Sequence, residues 1–241
     1  MCATSAKECR HGWPRSVPKA KALQERLRGL LLTRGRLARV RHIAGADIAY
    51  DTPRGLLFAA VLVYTFPEIQ LRETRAVTGP IRFPYVPGLL SFREAPALLR
   101  AFRRLRTRPD LLICDGQGIA HPRGIGLASH LGLLLALPTI GCAKSRLVGE
   151  HGEVGPLPGD RVPLLLSGRP VGAVVRTRAA VRPLYVSPGH RIGIDAAVRY
   201  VLACCRGFRL PEPVRQADLL VESLKRRDRR QGAAARRPET L

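Results

Sequence analysis

The chain has 241 residues, of which 41 are Lys or Arg and 18 are Asp or Glu, so its formal net charge is +23. A hydrophobic content of 46% excludes a largely disordered chain, and no apolar stretch predicts a signal peptide or a membrane span. So large a positive charge favours a polyanionic partner, above all a nucleic acid.

The first third of the chain predicts a helix followed by a meander of strands. Residues 1–20 are polar and irregular and are interpreted as an N-terminal extension. An amphipathic helix begins at Ala22, with leucines at helical spacing. Three strand-like runs follow, over Arg41–Tyr50, Leu56–Tyr64 and Ile69–Thr78. The turn at 51–55, which contains proline and glycine, joins the first two strands as a hairpin.

The rest of the chain alternates helices with strands. Two prolines exclude regular structure from the loop at 83–88. The elements predicted after it are, in order, a helix over Glu94–Leu105, a strand over Leu111–Cys114, a helix over Gly124–Leu137, strands over Pro138–Ala143 and Val171–Thr177, and a helix over Arg191–Cys205. The basic segment 225–241 is low in apolar residues and is predicted to be a mobile tail. This order indicates an α/β fold, a mixed sheet flanked by helices, within one domain over 21–224.

The six cysteines point to a reducing compartment. They form no CxxC pair and no zinc-like spacing with histidines; they are Cys2, Cys9, Cys114, Cys142, Cys204 and Cys205. We therefore expect reduced thiols and a cytoplasmic protein, with Cys114 and Cys142 as small core residues.

A carboxylate at the end of an apolar run is the first candidate for chemistry. Asp115 ends the run 111–114, and a loop with two glycines, a histidine and an arginine follows. Glycines let a ligand approach the main chain closely, so the pattern is typical of a metal-binding carboxylate beside a ligand-holding loop. An ordinary turn or helix-cap aspartate explains the Asp-Gly pair alone equally well.

Three further acids and a lysine extend this candidate site. Asp47 lies within a predicted strand among apolar residues, where a carboxylate must be paired, protonated or bound to a cation. Glu94 at a helix start and Asp218 in a C-terminal helix have plain alternatives, a favourable dipole contact and a solvated position. Four converging acids would suit Mg²⁺ or Mn²⁺ and metal-assisted hydrolysis of a phosphodiester. Lys144, after a predicted strand, could add positive charge for the transition state.

Five segments resemble endonuclease V, the deoxyinosine-directed repair nuclease family, in the family's order and spacing. They are 43–50, 83–94, 115–123, 138–147 and 186–190. The resemblance implies a ribonuclease H-like fold in which strand-borne acids hold Mg²⁺, with Mn²⁺ able to substitute. It also implies hydrolysis of the second phosphodiester on the 3′ side of deoxyinosine in DNA, leaving a nick with 3′-hydroxyl and 5′-phosphate ends.

The same resemblance implies roles for individual residues. Asp47 and Asp115 match the principal metal ligands, and Glu94 completes the acidic cluster. Lys144 matches the family's active-site lysine, and Asp218 matches a position where members carry Asp or His. All five are therefore candidate catalytic residues.

Three motifs are implied to contact the nucleic acid. The proline-clamped turn Pro84, Tyr85, Val86 and Pro87 resembles the family's wedge, which enters a base step; a tyrosine packed on its own loop is the plain alternative. Gly116, Gln117 and Gly118 resemble the wall of a pocket that reads a flipped base through main-chain groups. His121, Arg123 and His190 would line this pocket or bind phosphate, and structural turn-capping roles for the histidines are equally compatible.

The expected partner is DNA that contains deoxyinosine, and the expected enzyme is a monomer that needs no membrane. One alternative is an inosine-specific endoribonuclease of the same family, which would contact a 2′-hydroxyl. Another is a noncatalytic nucleic-acid-binding protein, against which the complete acid set argues.

Overall fold

One mixed sheet of eight strands organises the part of the chain that the computed structural model describes, which is residues 9, 11–35, 37 and 39–234. Its elements in chain order are α1 (Val17–Arg28), β1 (His42–Asp51), β2 (Leu56–Thr65), β3 (Leu71–Pro80), α2 (Leu90–Phe102), β4 (Leu111–Cys114), α3 (Leu127–Leu135), β5 (Thr139–Ala143), β6 (Arg161–Leu166), β7 (Arg169–Val175), β8 (Leu184–His190), α4 (Ile194–Ala203) and α5 (Glu212–Ala234). The strands lie side by side in the order β3-β2-β1-β4-β5-β8-β7-β6.

The centre of the sheet is parallel and its two sides are antiparallel. Strand β1 pairs in parallel with β4, and β4 pairs in parallel with β5. Strands β2 and β3 continue the sheet beyond β1, and β8, β7 and β6 continue it beyond β5, all in antiparallel pairs. The carboxyl ends of β1, β4 and β5 therefore meet at the same end of the sheet.

Helices cover both faces of the sheet. Helices α2 and α3 pack on one face, where Ala44 and Ala46 of β1 belong to their apolar cluster. Helices α4 and α5 pack on the other face, against Ile43 and Ala49 of the same strand. Because side chains alternate along a strand, Asp47 lies on the face that carries α5. Helix α1 packs outside α2 and α3.

The predicted α/β fold is confirmed, and two strands were missed. Strand β6 contains Pro163, and β8 contains Pro188 and Gly189. Proline and glycine usually mark loops or sheet edges, so neither segment was predicted to be a strand. Cys114 and Cys142 are buried in the core, as expected. None of the helices in the described ranges is long and apolar enough to cross a membrane.

Two helices begin earlier than predicted. Helix α1 begins at Val17 rather than Ala22, within the segment interpreted as an extension, because a proline at position 18 is tolerated in the first turn of a helix. Helix α2 begins at Leu90 rather than at Glu94. Glu94 therefore lies in the second turn, where the favourable dipole contact considered for it does not apply.

The basic segment after residue 224 was predicted to be mobile, and this is wrong for residues 225–234, which continue α5. Asp51 at the end of β1 is buried and needs a charged partner. Arg229 of α5 donates two hydrogen bonds to Asp51, at 2.7 and 2.9 Å, and Asp228 accepts one from Arg54 at 2.6 Å. These pairs attach the end of α5 to the sheet; residues 235–241 of the predicted tail lie outside the described residues.

Candidate active site

A cleft of about 410 Å³ opens at the carboxyl ends of β1, β4 and β5. Its lining comes from strands β1 and β5, from the segments that follow β4 and β5, from helices α2 and α3, and from the loop before α2. The candidate site residues that line it are Asp47, Tyr85, Val86, Pro87, Glu94, Asp115, Gly116, Gln117, His121 and Lys144. The fold therefore brings most of the predicted site together in one place.

Asp47 and Asp115 are neighbours because their strands run in parallel register. Ala46 of β1 is paired with Cys114 of β4, so the next residue of each strand is an aspartate. The main-chain N–H of Asp115 donates to the carbonyl of Ala46 at 3.2 Å. Burial and the charge of Asp115 raise the pKa of Asp47 to about 8, although its Oδ1 accepts a 2.7 Å hydrogen bond from the N–H of Ile48.

Lys144 lies directly after β5 and pairs with two of the acids. Its Nζ is 2.7 Å from Oδ2 of Asp115 and 3.3 Å from Oδ2 of Asp218 on α5. Burial lowers the pKa of Lys144, but the attraction of Asp115, Asp47 and Asp218 outweighs burial and raises the pKa above its ordinary value. Lys144 is therefore a permanent positive charge at neutral pH and cannot act as a base.

Glu94 faces the cleft from α2 and is 7% exposed. The hydroxyl of Tyr50 donates to its Oε1 at 2.8 Å, and burial raises the pKa of Glu94 to about 8. The guanidinium of Arg93 lies over the ring of Tyr50, 4.6 Å from the ring centroid. Tyr50 thus fixes the carboxyl of Glu94, whose pKa is also raised by the charge of Asp115.

The donor set of the cleft fits a hard divalent cation. Asp47, Glu94 and Asp115 present only carboxylate oxygens, and burial raises the pKa of all three. Burial disfavours the ionised form of each carboxyl group, and the one positive charge of Lys144 does not offset it. Within the described part of the chain no three potential ligands are close enough to enclose a metal. Coordination of one cation by all three would require these carboxylates to lie closer together than they do here.

The glycine loop after β4 lies flat against β5. A Cβ atom placed on Gly141 of β5 would come within 2.2 Å of the main-chain nitrogen of Gly118. The N–H of Gly118 donates to Oγ of Ser187 at 2.8 Å, and the N–H of Ile119 donates to the carbonyl of Pro188 at 2.8 Å. Strand β8 therefore supports this loop, which explains the match of segment 186–190.

Gln117 presents an unpaired acceptor to the cleft. Its side chain is 8% exposed, and its Nε2 donates to the carbonyl of Ser145 at 3.1 Å. Its Oε1 is buried and has no hydrogen-bond partner among the described residues. A buried acceptor without a partner is costly, so this atom is a natural contact for a donor on a ligand.

Tyr85 is the most exposed large hydrophobic side chain in the described part of the chain, at 71%. It lies in the Tyr85 loop, which we define as residues 83–89. Phe83 and Leu89 are buried at the two ends of this loop. The exposure of Tyr85 excludes the plain alternative in which its ring packs on its own loop.

Three basic residues from the motifs have clear positions. His121 lines the cleft, and its Nε2 contacts the carbonyl of Gly88 at 3.0 Å. Arg123 donates to the same carbonyl at 2.6 Å and is not among the residues that line the cleft. His190 is buried at the end of β8, where its Nδ1 accepts a 3.3 Å hydrogen bond from the N–H of Leu32, and it does not line the cleft either.

Sequence reasoning assigned no role to several residues that the structure brings into or beside the site. Tyr50 contacts Glu94, and the segment Ser145, Arg146 and Leu147 lines the cleft beside Lys144. All of them lie inside the five segments that resemble the family, so the sequence already contained a pointer to them. A tyrosine in a strand and an exposed loop after a lysine do not by themselves indicate a function.

Comparisons with known proteins agree on one family. The sequence matches the model of the Endonuclease V family over residues 25–219. Endonuclease V of Nostoc punctiforme is 47% identical over 214 residues, which cover 88% of this chain and 97% of that protein. The crystal structure of the Streptomyces avermitilis endonuclease V is 40% identical, with a TM-score of 0.85, over 90% of this chain and 96% of that one.

A second solved structure contains a nucleic acid. It is Ciona intestinalis endonuclease V in complex with a 24mer DNA containing an inosine followed by a ribo-adenosine. Its sequence is 24% identical to this chain, and the two structures superpose with a TM-score of 0.76. The match covers 88% of this chain and 98% of the Ciona chain. At this identity the likeness concerns the fold.

Proposed function

The chain belongs to the endonuclease V family, and we propose that it is a Mg²⁺-dependent DNA repair endonuclease that recognises deoxyinosine and hydrolyses the second phosphodiester on its 3′ side. One observation carries this proposal. The cleft carries three carboxyl groups and the ammonium group of Lys144. The same cleft is also lined by the exposed ring of Tyr85 and by Gln117, whose buried Oε1 has no hydrogen-bond partner among the described residues. The first group suits cleavage of a phosphodiester, and the second suits recognition of a base.

Asp47, Asp115 and Glu94 would hold the metal. A bound Mg²⁺ would lower the pKa of the attacking water and would offset the negative charge of the phosphate. Mn²⁺ is expected to substitute for it. Because the pKa values of Asp47 and Glu94 are raised to about 8, both side chains must release protons when they become ligands. Asp218 contributes by fixing Lys144.

Lys144 would stabilise the transition state electrostatically. Its ammonium group is held between Asp115 and Asp218 by two ion pairs, at 2.7 and 3.3 Å. A fixed charge beside a developing oxyanion costs no reorganisation during the reaction. Its raised pKa keeps the charge in place over the whole neutral range.

Base recognition would use the Tyr85 loop and the glycine loop. Tyr85 is exposed enough to enter a base step and occupy the space that a flipped nucleotide leaves. Hypoxanthine differs from adenine by carrying a proton on N1, and Oε1 of Gln117 is an acceptor of the right kind for that proton. Main-chain groups of Gly116 would complete the wall. Gly118 does not line the cleft, because its N–H donates to Ser187 and its carbonyl accepts from Gly126. The Ciona relative, which was solved with inosine-containing DNA, supports this choice of substrate.

A second candidate substrate is inosine in RNA. The nucleotide after the inosine in the Ciona complex is a ribo-adenosine. A preference for ribose at that position would make this chain an endoribonuclease, with contacts to a 2′-hydroxyl.

The test compares matched oligonucleotides that carry one inosine, as DNA duplex and as RNA, with adenine in place of inosine as the control. We expect one Mg²⁺-dependent cut at the second phosphodiester in inosine-containing DNA. Asp47→Ala should abolish it, whereas Asp195→Ala, an exposed acid outside the cleft, should not. Cleavage that survives Asp47→Ala would contradict the site, and faster cleavage of the RNA would favour the second candidate.

A further inference from the structure

The carbonyl oxygen of Gly88 is the polar anchor of the Tyr85 loop. Residues 86–89 form a turn in which the N–H of Leu89 donates to the carbonyl of Val86 at 2.9 Å. Gly88 has φ +76°, which suits the third position of a type II turn after a proline. This turn points the Gly88 carbonyl into the protein, where three side chains converge on it.

The three donors come from two distant segments. Nε2 of Gln24 on α1 donates to the Gly88 oxygen at 3.0 Å, Nη2 of Arg123 at 2.6 Å, and Nε2 of His121 at 3.0 Å. A carbonyl oxygen has two lone pairs, so three donors saturate it. The loop after β4 and the helix α1 are thereby joined to the Tyr85 loop at a single atom.

The protonation of His121 follows from its partners. Its Nδ1 accepts a hydrogen bond from the main-chain N–H of Arg123 at 3.2 Å, so Nδ1 carries no proton. Burial, with the charge of Arg123, lowers the pKa of His121 to about 4, which makes the ring neutral at physiological pH. Its single proton must then be on Nε2, which donates to Gly88.

Gln24 uses every hydrogen-bonding group of its side chain in this network. Its Nε2 donates both to Gly88 and to the carbonyl of Ile125, the latter at 3.3 Å, and its Oε1 accepts from Nε of Arg123. Arginine has only donors, so the orientation of the amide is fixed. The side chain is 1% exposed and lies behind the cleft lining rather than in it.

Helix α1 also contacts the Tyr85 loop through apolar groups. Ala20 packs in one cluster with Phe83, Leu89 and Phe92, and Val86 packs against it. Apolar contacts are not directional and allow sliding, whereas a saturated carbonyl fixes the position of its peptide group. Between the buried ends of the loop, Pro84, Tyr85 and Pro87 are exposed.

We propose that Gln24 is a positioning residue for Tyr85: by holding the Gly88 carbonyl, it presents the tyrosine in the orientation that a base step requires. The inference rests on the proposed function, because it assigns Tyr85 a role in opening a paired duplex. Gln24 touches no substrate and acts through the loop. Loss of the Gln24 side chain should therefore lower the rate of cleavage where a paired base has to be displaced. It should lower that rate little where the base is already unpaired.

The test measures kcat/KM on two duplexes with the same sequence, one with inosine paired to cytosine and one with inosine inside a short mismatched bubble. For Gln24→Met we expect a fall of about tenfold on the paired duplex, the effect of one lost hydrogen bond of good strength, and a fall of less than about twofold on the bubble. Tyr85→Ala should show the same pattern. The double variant should be no worse than Tyr85→Ala, since both changes remove one function.

Two further variants separate positioning from a general loss of structure. Gln24→Glu keeps the size of the side chain and its contact with Arg123 but loses both donors, so it should reproduce the pattern even if Gln24→Met unfolds. Glu25→Ala, on the exposed face of the same helix, should leave both rates unchanged. Equal losses on the two duplexes, or no loss on the paired one, would overturn the inference. Failure of the wild-type protein to cut either duplex would instead overturn the proposed function.

Discussion

The ammonium group of Lys144 forms a 2.7 Å ion pair with Asp115, the residue that also lies beside Asp47 at the ends of the central strands. The positive charge of the site and two of its negative charges are therefore positioned by three neighbouring strands of one sheet, β1, β4 and β5. A change at Lys144 alters both the charge of the transition state and the charge of a candidate metal ligand.

Lys144→Met should lower the rate of cleavage by about a hundredfold or more, because it removes a preorganised positive charge. Binding of inosine-containing DNA to the same variant, measured by fluorescence anisotropy, should change by less than about threefold, since one of many cations is lost. Lys19→Met, an exposed lysine outside the cleft, is the control. A variant that cuts at the wild-type rate would exclude Lys144 from the chemistry.

The apparent affinity for Mg²⁺ should rise with pH between about pH 6 and pH 8. Asp47 and Glu94, with pKa values of about 8 in the absence of metal, are largely protonated at pH 6 and must lose their protons to bind a cation. Calorimetric titration with Mg²⁺ in two buffers of different ionisation enthalpy would measure the protons released. The same dissociation constant at both ends of this range, with no proton release, would contradict the assignment.

Asp47→Asn should stabilise the metal-free protein at about pH 8 by about 1–2 kcal/mol. An unfolded aspartate titrates near 3.8, whereas Asp47 titrates near 8 in the folded chain. Between these values the folded state holds the extra proton, so the free energy of unfolding falls as the pH rises. Asparagine has no charge to bury and retains the oxygen that accepts from Ile48. Chemical denaturation at about pH 5 and pH 8 would show a larger gain at the higher pH.

Gln117→Leu should reduce the preference for inosine over adenine by about tenfold or more, because a donor on the base would lose its acceptor. The comparison is of kcat/KM on matched duplexes. Gln70→Leu, at an exposed position, serves as the control. An unchanged preference would assign base discrimination to main-chain groups of the glycine loop alone.

His130→Gln should flatten the loss of stability in acid. His130 is buried in α3, its Nε2 lies 2.8 Å from Nε2 of His11, and burial lowers its pKa from 6.5 to about 3. Below about pH 6.5 the imidazole of His130 binds a proton in the unfolded chain but stays neutral in the folded chain. The free energy of unfolding therefore decreases as the pH falls. The difference in free energy of unfolding between the wild type and the variant should change by up to about 1.4 kcal/mol per pH unit. A constant difference from about pH 7 to pH 4.5 would show that His130 does not titrate in this way.

The acidic part of the site could be predicted because it depends on local sequence and on one rule of sheet geometry. Asp47 lies within one apolar run that could be recognised as a strand, and Asp115 directly follows another. Parallel neighbours place residues in the same register together. The prediction of Glu94 as a site residue required only that its helix lie next to the cleft. The remaining acid, Asp218, depends on the place of α5, which no strand pattern determines.

The supporting contacts could not be predicted because they join residues that are far apart in the sequence. Gln24 contacts Gly88 across 64 positions, and Ser187 contacts Gly118 across 69. A glutamine in an amphipathic helix is typical of a surface position, and a strand that contains Pro188 resembles a loop. Such hydrogen bonds between side chain and main chain become visible only when the elements are packed.

The contact between Gly118 and Gly141 bears on how the nuclease can evolve. Main chain meets main chain there, with no side chain between them to be exchanged for a longer or shorter one. Any side chain at Gly141 would clash with the main chain of the loop, so the spacing between the proposed base-reading loop and β5, at whose end Lys144 lies, cannot be adjusted by exchanging one side chain for another. Selection or engineering of this scaffold should change which base is accepted more readily than where the strand is cut.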